Sequence, residues 1–311
     1  LTLYIPIIQI RLDCSPEEKE YMDRHQFLVE TSWLAEHLND THVRIVDMRG
    51  YVRTVEHDGV QDALYVGAQD EYEQDHIPGA IYIDWSSDII DPDADIEAQI
   101  APPERFAEVM GRLGIGDQHL VIAYDAHPSS QFATRLWWAL NYYGHDQVVV
   151  LNGGFNKWQR EQLPLETTIP TYPPAIFTAV TQPQLRATAN DILSSLGQQG
   201  IVLIDARDRG QYTGKLVRGH GRPGHIPGAL NITREEVIDP ATGTFRSNAE
   251  LAQTFADFGV SPQDHVVAYC NGGVAATTIL FSLAMLGYPR LTNYDGSWNE
   301  WGQRQDLPTE S

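Results

Sequence analysis

The chain has 311 residues, of which 42% are hydrophobic and 20% charged, and 42 acidic against 21 basic residues give it a formal net charge of -21. This is the composition of an ordinary folded protein, and its length predicts two domains, because a single hydrophobic core rarely extends past about 250–300 residues. An acidic chain without a basic stripe repels a phosphate backbone, so we expect no nucleic-acid partner.

The first residues, 1–25, are interpreted as an N-terminal tail. The apolar stretch from Leu1 to Ile10 lacks a basic start and a small-residue cleavage site, and it is too short to span a bilayer. The two cysteines, Cys14 and Cys270, are too few for a disulfide-dependent secreted scaffold. We therefore expect a cytoplasmic protein with no membrane partner, in which Cys14 is an inert thiol.

The remainder of the chain contains an internal duplication. Four blocks recur in the same order: residues 45–49 as 203–207, 75–80 as 224–229, 113–125 as 258–270, and 152–158 as 295–301. The duplication predicts two domains, over residues 26–165 and 186–311. Five prolines between Leu163 and Gln184 disfavour a helix there, which predicts an extended Pro-rich linker at 166–185.

Each half alternates short runs rich in Val and Ile with amphipathic segments. The runs predict strands at 43–47, 120–124, 148–151, 201–205, 265–269 and 291–294. The amphipathic segments predict helices over 103–113, 132–143, 248–258 and 275–286. This alternation predicts an α/β fold of two tandem domains, each a parallel sheet flanked by helices on both faces.

Cys270 ends one predicted strand and begins the loop to the next helix. In that loop Gly272 and Gly273 permit positive φ, so that the N–H groups of residues 271–275 can converge into an anion-binding nest at a helix N-terminus. Such a nest favours a thiolate, which predicts a reactive nucleophile instead of a packed structural cysteine. The matching position in the first half is Asp125, and no glycines follow it, so we expect the first domain to be catalytically inactive.

Both halves resemble the tandem-domain rhodaneses, the thiosulfate and 3-mercaptopyruvate sulfurtransferases, over residues 26–308. The motifs that carry the resemblance are Cys270-Asn271-Gly272-Gly273-Val274-Ala275, two His-Ile-Pro-Gly-Ala turns, Trp137-Trp138, Asn152-Gly153-Gly154-Phe155 and Tyr294-Asp295-Gly296-Ser297-Trp298. The resemblance implies an active second domain with its site in the cleft between the domains. There Cys270 takes sulfane sulfur from a small-molecule donor as a persulfide, which the loop N–H groups stabilise. It then passes the sulfur to cyanide or a thiol, with a thioredoxin-like reductant as a candidate partner and no metal or organic cofactor.

The residues that bind the donor leave thiosulfate and 3-mercaptopyruvate both open. The loop carries neither the basic side chains typical of thiosulfate-preferring members nor the Ser and Thr of the mercaptopyruvate branch. Of the two arginines that hold the substrate carboxylate in that branch, one corresponds to Arg218 and the other is replaced by Gln211. Arg209 and Arg222 are candidate substitutes for the missing cation.

The histidines have a functional and a structural interpretation. His76 aligns with the first-domain histidine that assists proton transfer in the family, which makes it a candidate acid or base. Because His225 occupies the same turn in the other half, a structural hydrogen-bonding role explains both. His220 and His225 have no partner cluster, so no metal site is predicted.

Two alternatives to a sulfurtransferase enzyme are considered. A cysteine-based phosphatase needs an arginine six positions after the cysteine, and that position is Ala276 here, which excludes this class. A persulfide carrier or sulfur-relay protein with little small-molecule turnover remains as the alternative, and Gln211 favours it.

Overall fold

The computed structural model describes residues 24–57, 60–219 and 221–311. The predictions for Cys14, His220 and nearly all of the N-terminal tail lie outside the described residues. Within the described ranges, no helix has both the length and the hydrophobicity needed to cross a bilayer.

The first domain contains a sheet of five parallel strands. Its strands are β1 (Leu28–Val29), β2 (Val43–Asp47), β5 (Ile81–Tyr82), β6 (Leu120–Tyr124) and β7 (Val148–Leu151). They lie in the spatial order β1-β7-β6-β2-β5. The helices of this domain are α1 (Thr31–His37), α2 (Gln69–Gln74), α3 (Pro103–Arg112), α4 (Gln131–Tyr142) and α5 (Gly154–Arg160).

The second domain repeats this topology. Its strands are β8 (Arg186–Ala187), β9 (Ile201–Asp205), β10 (Leu230–Asn231), β11 (His265–Tyr269) and β12 (Leu291–Tyr294). All are parallel, in the order β10-β9-β11-β12-β8, which read from the other edge is the order of the first sheet. The helices are α6 (Ala189–Ser195), α7 (Arg209–Tyr212), α8 (Asn248–Asp257), α9 (Ala276–Met285) and α10 (Ser297–Trp301), with 3-10 turns at Pro183–Leu185 and Arg234–Glu236.

The central strands contribute to cores on both faces of their sheets. Val121 of β6 and Val266 of β11 belong to one hydrophobic cluster that spans both domains, whereas the next residues, Ile122 and Val267, belong to separate outer clusters. Successive side chains of a strand point to opposite faces. The two inner faces therefore share one core, and the prediction of parallel sheets covered on both faces is confirmed.

Helices α4 and α9 meet at the centre of this shared core. The hydroxyl oxygen of Thr134 lies 2.9 Å from that of Thr277, and both residues are fully buried. The ring of Phe281 packs edge-on against Trp137, with 5.0 Å between the ring centroids. Because α4 and α9 each follow the central strand of their sheet, this packing brings the two strand ends, at Asp125 and Cys270, to the same side of the molecule.

An antiparallel hairpin in the first domain has no counterpart among the described residues of the second. It consists of β3 (Gly50–His57) and β4 (Val60–Gly67). It reaches the second domain, where Nη2 of Arg218 donates to Oγ1 of Thr54 at 3.2 Å. On the second strand of the hairpin, the hydroxyl of Tyr65 accepts from Nδ2 of Asn299 at 3.1 Å. The hairpin thus forms one wall of the cleft between the domains.

The Pro-rich segment between the domains packs against the first domain. All residues from 167 to 182 are described, and none of them lies in a helix or strand. Phe177 is buried, the N–H of Ala175 donates to the carbonyl of Gly111, and the hydroxyl of Tyr172 donates to the carbonyl of Gly79, both at 2.9 Å. The domain boundaries at 165 and 186 stay a prediction from the repeat.

Candidate active site

Cys270 follows the last residue of β11 and is only 4% exposed. Its backbone is held by the segment after β12. The N–H of Cys270 donates to Oγ of Ser297 at 3.1 Å, and its carbonyl accepts from the N–H of Trp298 at 3.0 Å. The next carbonyl, of Asn271, accepts from the N–H of Asn299 at 2.8 Å. These three bonds fix the start of the loop at the carboxyl end of the sheet.

The loop after Cys270 presents backbone donors that the protein does not use. Among the described residues, none accepts a hydrogen bond from the N–H groups of residues 271–275. Gly273 has a φ of +71°, and a Cβ atom there would lie 3.0 Å from the backbone of Asp295. Glycine is therefore required at this position, and the loop can offer its N–H groups to an anion.

The equivalent loop of the first domain binds an anion of its own. The carboxylate of Asp125 accepts from the backbone N–H groups of His127, Phe132 and Ala133, each at 2.8 Å. Asp125 is 1% exposed and lies at the position that corresponds to Cys270. In the first domain the strand end is thus occupied by one of the protein's own side chains, held by donors from the loop and from the start of α4.

Cys270 borders a cavity of about 270 Å³ between the two domains. The second domain contributes the cysteine loop, including Asn271, Gly272, Val274 and Ala275, and the first domain contributes the hairpin and the loop after β6. Three arginines line the cavity, Arg207, Arg218 and Arg234. Two carboxylates, Asp208 and Glu235, line the cavity as well. In a protein of net charge -21, the three arginines still outnumber these two acids locally, so the site can attract a small anion.

Two of these arginines already pair with carboxylates, and Nε of Arg234 lies 3.3 Å from Oε1 of Glu235. Arg207 pairs with Asp205 at 2.6 Å and lies 4.1 Å above the ring of Trp298. Burial works against its charge, but the Asp205 carboxylate raises the pKa of Arg207. The matching pair in the first domain, Arg49 with Asp47 at 2.8 Å, is buried in the same way. The pairs of Arg207 with Asp205 and of Arg49 with Asp47 are structural ion pairs that recur in both domains.

Of the residues predicted to bind the donor, Gln211 and Arg218 line the cavity and Arg209 does not. Oε1 of Gln211 accepts from Nδ2 of Asn271 at 3.1 Å, so this side chain supports the cysteine loop. Arg209 is exposed at the start of α7. Arg222 binds the carbonyls of Trp301 and Leu307 and does not reach the cavity. Neither Arg209 nor Arg222 replaces the missing cation.

His76 is not brought to the cavity. Its ring is fully buried, with Nδ1 at 2.7 Å from the carbonyl of Tyr72 and Nε2 at 3.1 Å from that of Thr168. His225 makes the equivalent contact with Tyr212 at 2.9 Å. The interpretation of His76 as a catalytic acid or base is therefore corrected, since both turn histidines satisfy backbone carbonyls.

Several side chains that line the cavity were not predicted from the sequence, among them Tyr65, His127 and Arg234. Nδ1 of His127 accepts from the N–H of Ser129 at 3.2 Å, and burial lowers the pKa of His127 to about 3. Its imidazole is thus neutral. Burial raises the pKa of Tyr65 to about 12, so its hydroxyl keeps its proton.

The serine position of the mercaptopyruvate branch is crowded by the first domain. A Cβ atom at Gly272 would lie 3.0 Å from Cβ of Ala98 and 3.5 Å from the hydroxyl of Tyr65. The chain has thus filled, with first-domain groups, part of the space that a serine would occupy. No cluster of three or more potential metal ligands occurs within the described ranges.

The duplicated α/β architecture, with a cysteine at a strand end facing an interdomain cleft, defines the class of protein. A rhodanese-like domain model matches residues 30–161 and 188–304. The chain belongs to the rhodanese family, which confirms the resemblance predicted from its motifs.

The names of similar proteins narrow the family assignment to the sulfurtransferases. The chain is 34% identical over 295 residues to the sulfur carrier protein TtuD of Thermus thermophilus, covering 91% of this chain and 96% of that protein. It is 34% identical over 287 residues to the 3-mercaptopyruvate sulfurtransferase of Escherichia coli (91% and 98%) and 33% identical over 312 residues to the thiosulfate sulfurtransferase of Corynebacterium glutamicum (96% and 95%). The crystal structure of SseA from Escherichia coli superposes with a TM-score of 0.74 at 31% identity, covering 88% of this chain and 98% of that one. The protein is a sulfurtransferase of the rhodanese fold.

Proposed function

We propose that the protein moves sulfane sulfur from thiosulfate or 3-mercaptopyruvate to cyanide or a thiol through a persulfide on Cys270. The observation that carries the proposal is the position of Cys270, which borders an arginine-lined cavity and begins a loop of unused N–H groups. A thiolate at this position is an activated nucleophile, and the same N–H groups suit the terminal sulfur of an anionic persulfide.

With thiosulfate, the Cys270 thiolate attacks the outer sulfur. A bond forms between the two sulfur atoms as the bond to the sulfonate sulfur breaks, and the electron pair leaves with sulfite. With 3-mercaptopyruvate, the carbon–sulfur bond breaks and its electron pair stays on carbon, which takes up the thiol proton to give pyruvate. Both reactions leave the same persulfide anion on Cys270.

The second half-reaction regenerates the thiolate. Cyanide attacks the terminal sulfur of the persulfide and leaves as thiocyanate. Two thiols remove the same sulfur as hydrogen sulfide and form a disulfide, which a dithiol reductant of the thioredoxin type can supply within one molecule. Because donor and acceptor react in separate steps, ping-pong kinetics are expected.

The donor is recognised by its charge. Arg218 and Arg234 face the cavity from different segments of the second domain and can each bind an oxygen of a sulfonate or carboxylate. The neutral ring of His127 and the hydroxyl of Tyr65 add hydrogen-bonding groups from the first domain. Gln211 supplies no second guanidinium, which leaves both donors as candidates.

A sulfur-carrier function is the second candidate. One relative that matches nearly the full chain is named a sulfur carrier protein. Gln211 also favours this function, because its amide oxygen binds Asn271 and does not offer a positive charge to a carboxylate. In this case Cys270 would receive sulfur from another protein and pass it on.

Turnover of both donors by variants of the two cysteines tests the proposal. Wild type should release thiocyanate from thiosulfate and cyanide, and pyruvate from 3-mercaptopyruvate and a thiol, whereas Cys270→Ser should release neither. Cys14→Ser is the matched control and should keep full activity. Treatment with donor alone should add about 32 Da to the wild type and to Cys14→Ser, but not to Cys270→Ser.

Two outcomes decide between the candidates. If the wild type turns over neither donor, yet a protein persulfide adds about 32 Da to Cys270, the carrier function replaces the enzyme. If Cys270→Ser retains turnover, the persulfide on Cys270 is wrong.

A further inference from the structure

One residue of the first domain, Arg135, contacts the cysteine loop without lining the cavity. Arg135 lies on α4 and is 1% exposed. Its Nη1 donates to the carbonyl of Gly273 at 3.1 Å, and its Nη2 donates to the carbonyl of Ala98 at 2.9 Å. Neither Arg135 nor its ion-pair partner Asp295 lines the cavity.

The charge of Arg135 is balanced inside the interface. Nη1 lies 2.7 Å from Oδ1 of Asp295, which is fully buried at the end of β12. Oδ2 of the same carboxylate pairs with Arg186 at 3.1 Å and accepts from the N–H of Ile100 at 3.0 Å. The guanidinium is thus fixed on several sides before it reaches the loop.

The carbonyl of Gly273 is held by two donors. Besides Arg135, Nδ2 of Asn293 donates to it at 3.0 Å, and neither donor lines the cavity. The carbonyl of one residue and the N–H of the next belong to one planar trans peptide and point in opposite directions. A Gly273 carbonyl held toward the interface therefore turns the N–H of Val274 away from it, and Val274 and Cys270 line the same cavity.

We propose that Arg135 is a positioning residue for the sulfur-transfer site: by holding the Gly273 carbonyl it orients the loop N–H groups toward the sulfur of Cys270. The inference rests on the proposed role of Cys270 as the sulfur acceptor. It gives the first domain a function in a reaction whose nucleophile lies in the second. Through the Ala98 carbonyl, the same guanidinium also holds the residue whose side chain packs over Gly272.

Lysine cannot replace Arg135 in this role. A single ammonium nitrogen lacks the planar fork that reaches Gly273, Ala98 and Asp295 together. Arg135→Lys therefore keeps the positive charge and loses the geometry, which separates orientation of the loop from simple electrostatic attraction to a thiolate.

The test is the pH dependence of alkylation of Cys270 by iodoacetamide, measured on the full chain. In Arg135→Lys and Arg135→Met we expect the midpoint to move to higher pH and the rate near neutral pH to fall about tenfold, the effect of losing one charge-assisted hydrogen bond. Arg186→Met is the matched control, since it removes a cation from the same Asp295 without touching the loop. The charged and titratable groups that line the cavity with Cys270 are unchanged in all variants: Tyr51, Tyr65, His127, Arg207, Asp208, Arg218, Arg234 and Glu235.

Asn293→Leu gives a second route if the arginine variants fold poorly. It removes the other donor to the Gly273 carbonyl and leaves the ion pairs in place, so a smaller shift in the same direction is expected. A wild-type alkylation profile in folded Arg135→Lys and Asn293→Leu would overturn the proposal, and so would an equal shift in Arg186→Met. Alkylation needs no sulfur donor, so a failure of sulfur transfer in the wild type would count against the proposed function alone.

Discussion

Asp125 and Cys270 are the two forms of one position in a duplicated loop. In the first domain the side chain accepts hydrogen bonds from the loop and from the start of the next helix, whereas in the second the N–H groups of residues 271–275 bind no acceptor of the protein. Burial raises the pKa of Asp125 to about 7, although the N–H groups of Ala133, His127 and Phe132 favour its charged form. The first domain thus carries a buried acid whose protonation is linked to folding.

The sign of this linkage can be tested with Asp125→Asn. A carboxyl whose pKa is raised in the folded state contributes most to stability at low pH and loses that contribution as pH rises through its folded pKa. From about pH 4 to pH 8, the free energy of unfolding of the variant should therefore rise by up to about 4 kcal/mol relative to that of the wild type. Urea unfolding at both pH values measures the difference, with Asp117→Asn as a first-domain control. If the two proteins differ in free energy of unfolding by the same amount at both pH values, the prediction is contradicted.

The sequence predicts Cys270 well because its signal is local: a strand end, two glycines and a helix within a few residues. Arg234 and His127 lie far from Cys270 in sequence and reach the cavity only through tertiary packing. His76 misleads for the opposite reason. Its alignment with a catalytic histidine is correct as a sequence pattern, but the turn buries the ring against Tyr72.

At the level of elements, the hairpin β3–β4 is the longest feature that the sequence did not predict, and the short strands at the sheet edges and the short helices were not predicted either. The six strands predicted from buried Val- and Ile-rich runs match the observed β2, β6, β7, β9, β11 and β12 residue for residue. The hairpin lacks such a run. Its only signal is the length of the chain between two matched residues: His76 lies 27 positions after Arg49, whereas His225 lies only 18 positions after Arg207. The second half has no copy of it, so the duplication could not reveal it.

The hairpin should contribute to donor binding through Thr54. Its hydroxyl accepts the hydrogen bond from Arg218, and Thr54→Val removes this bond while nearly preserving the shape of the side chain. Because this hydrogen bond contributes about 1 kcal/mol to the positioning of Arg218, its loss should raise KM for an anionic donor about two- to tenfold, with a smaller effect on kcat. Steady-state kinetics measure it, with Thr178→Val in the linker segment as the control. An unchanged KM would show that the hairpin does not position Arg218.

At the level of the whole molecule, the two sheets share an interior. The ring of Phe281 on α9 contacts Phe27 and Trp137 of the first domain and Phe245 of the second. It is fully buried. A core that crosses a domain boundary in this way couples the unfolding of the two halves, because neither sheet can expose its inner face alone.

Phe281→Ala should therefore destabilise both domains together, by about 3–5 kcal/mol. Five of the seven tryptophans lie in the first domain, so their fluorescence reports chiefly on that half, and alkylation of Cys270 reports on the second. The urea midpoints measured by tryptophan fluorescence and by alkylation of Cys270 should coincide in the wild type. In the variant both midpoints should fall by the same amount. Phe255→Ala, a buried ring of the second domain, should behave likewise. Two separated midpoints would mean that the halves unfold independently.

The ion pair between Arg135 and Asp295 also has an evolutionary consequence. Where Arg135 stands in the first copy, the second copy has Leu280, which is buried among apolar side chains. After the duplication the two copies therefore ceased to be interchangeable, since one kept the nucleophile and the other kept the arginine behind its loop. A dimer of two second halves would contain two cysteines and no such arginine. Selection for sulfur transfer thus acts on both halves as one heritable unit, although only one of them carries the reactive sulfur.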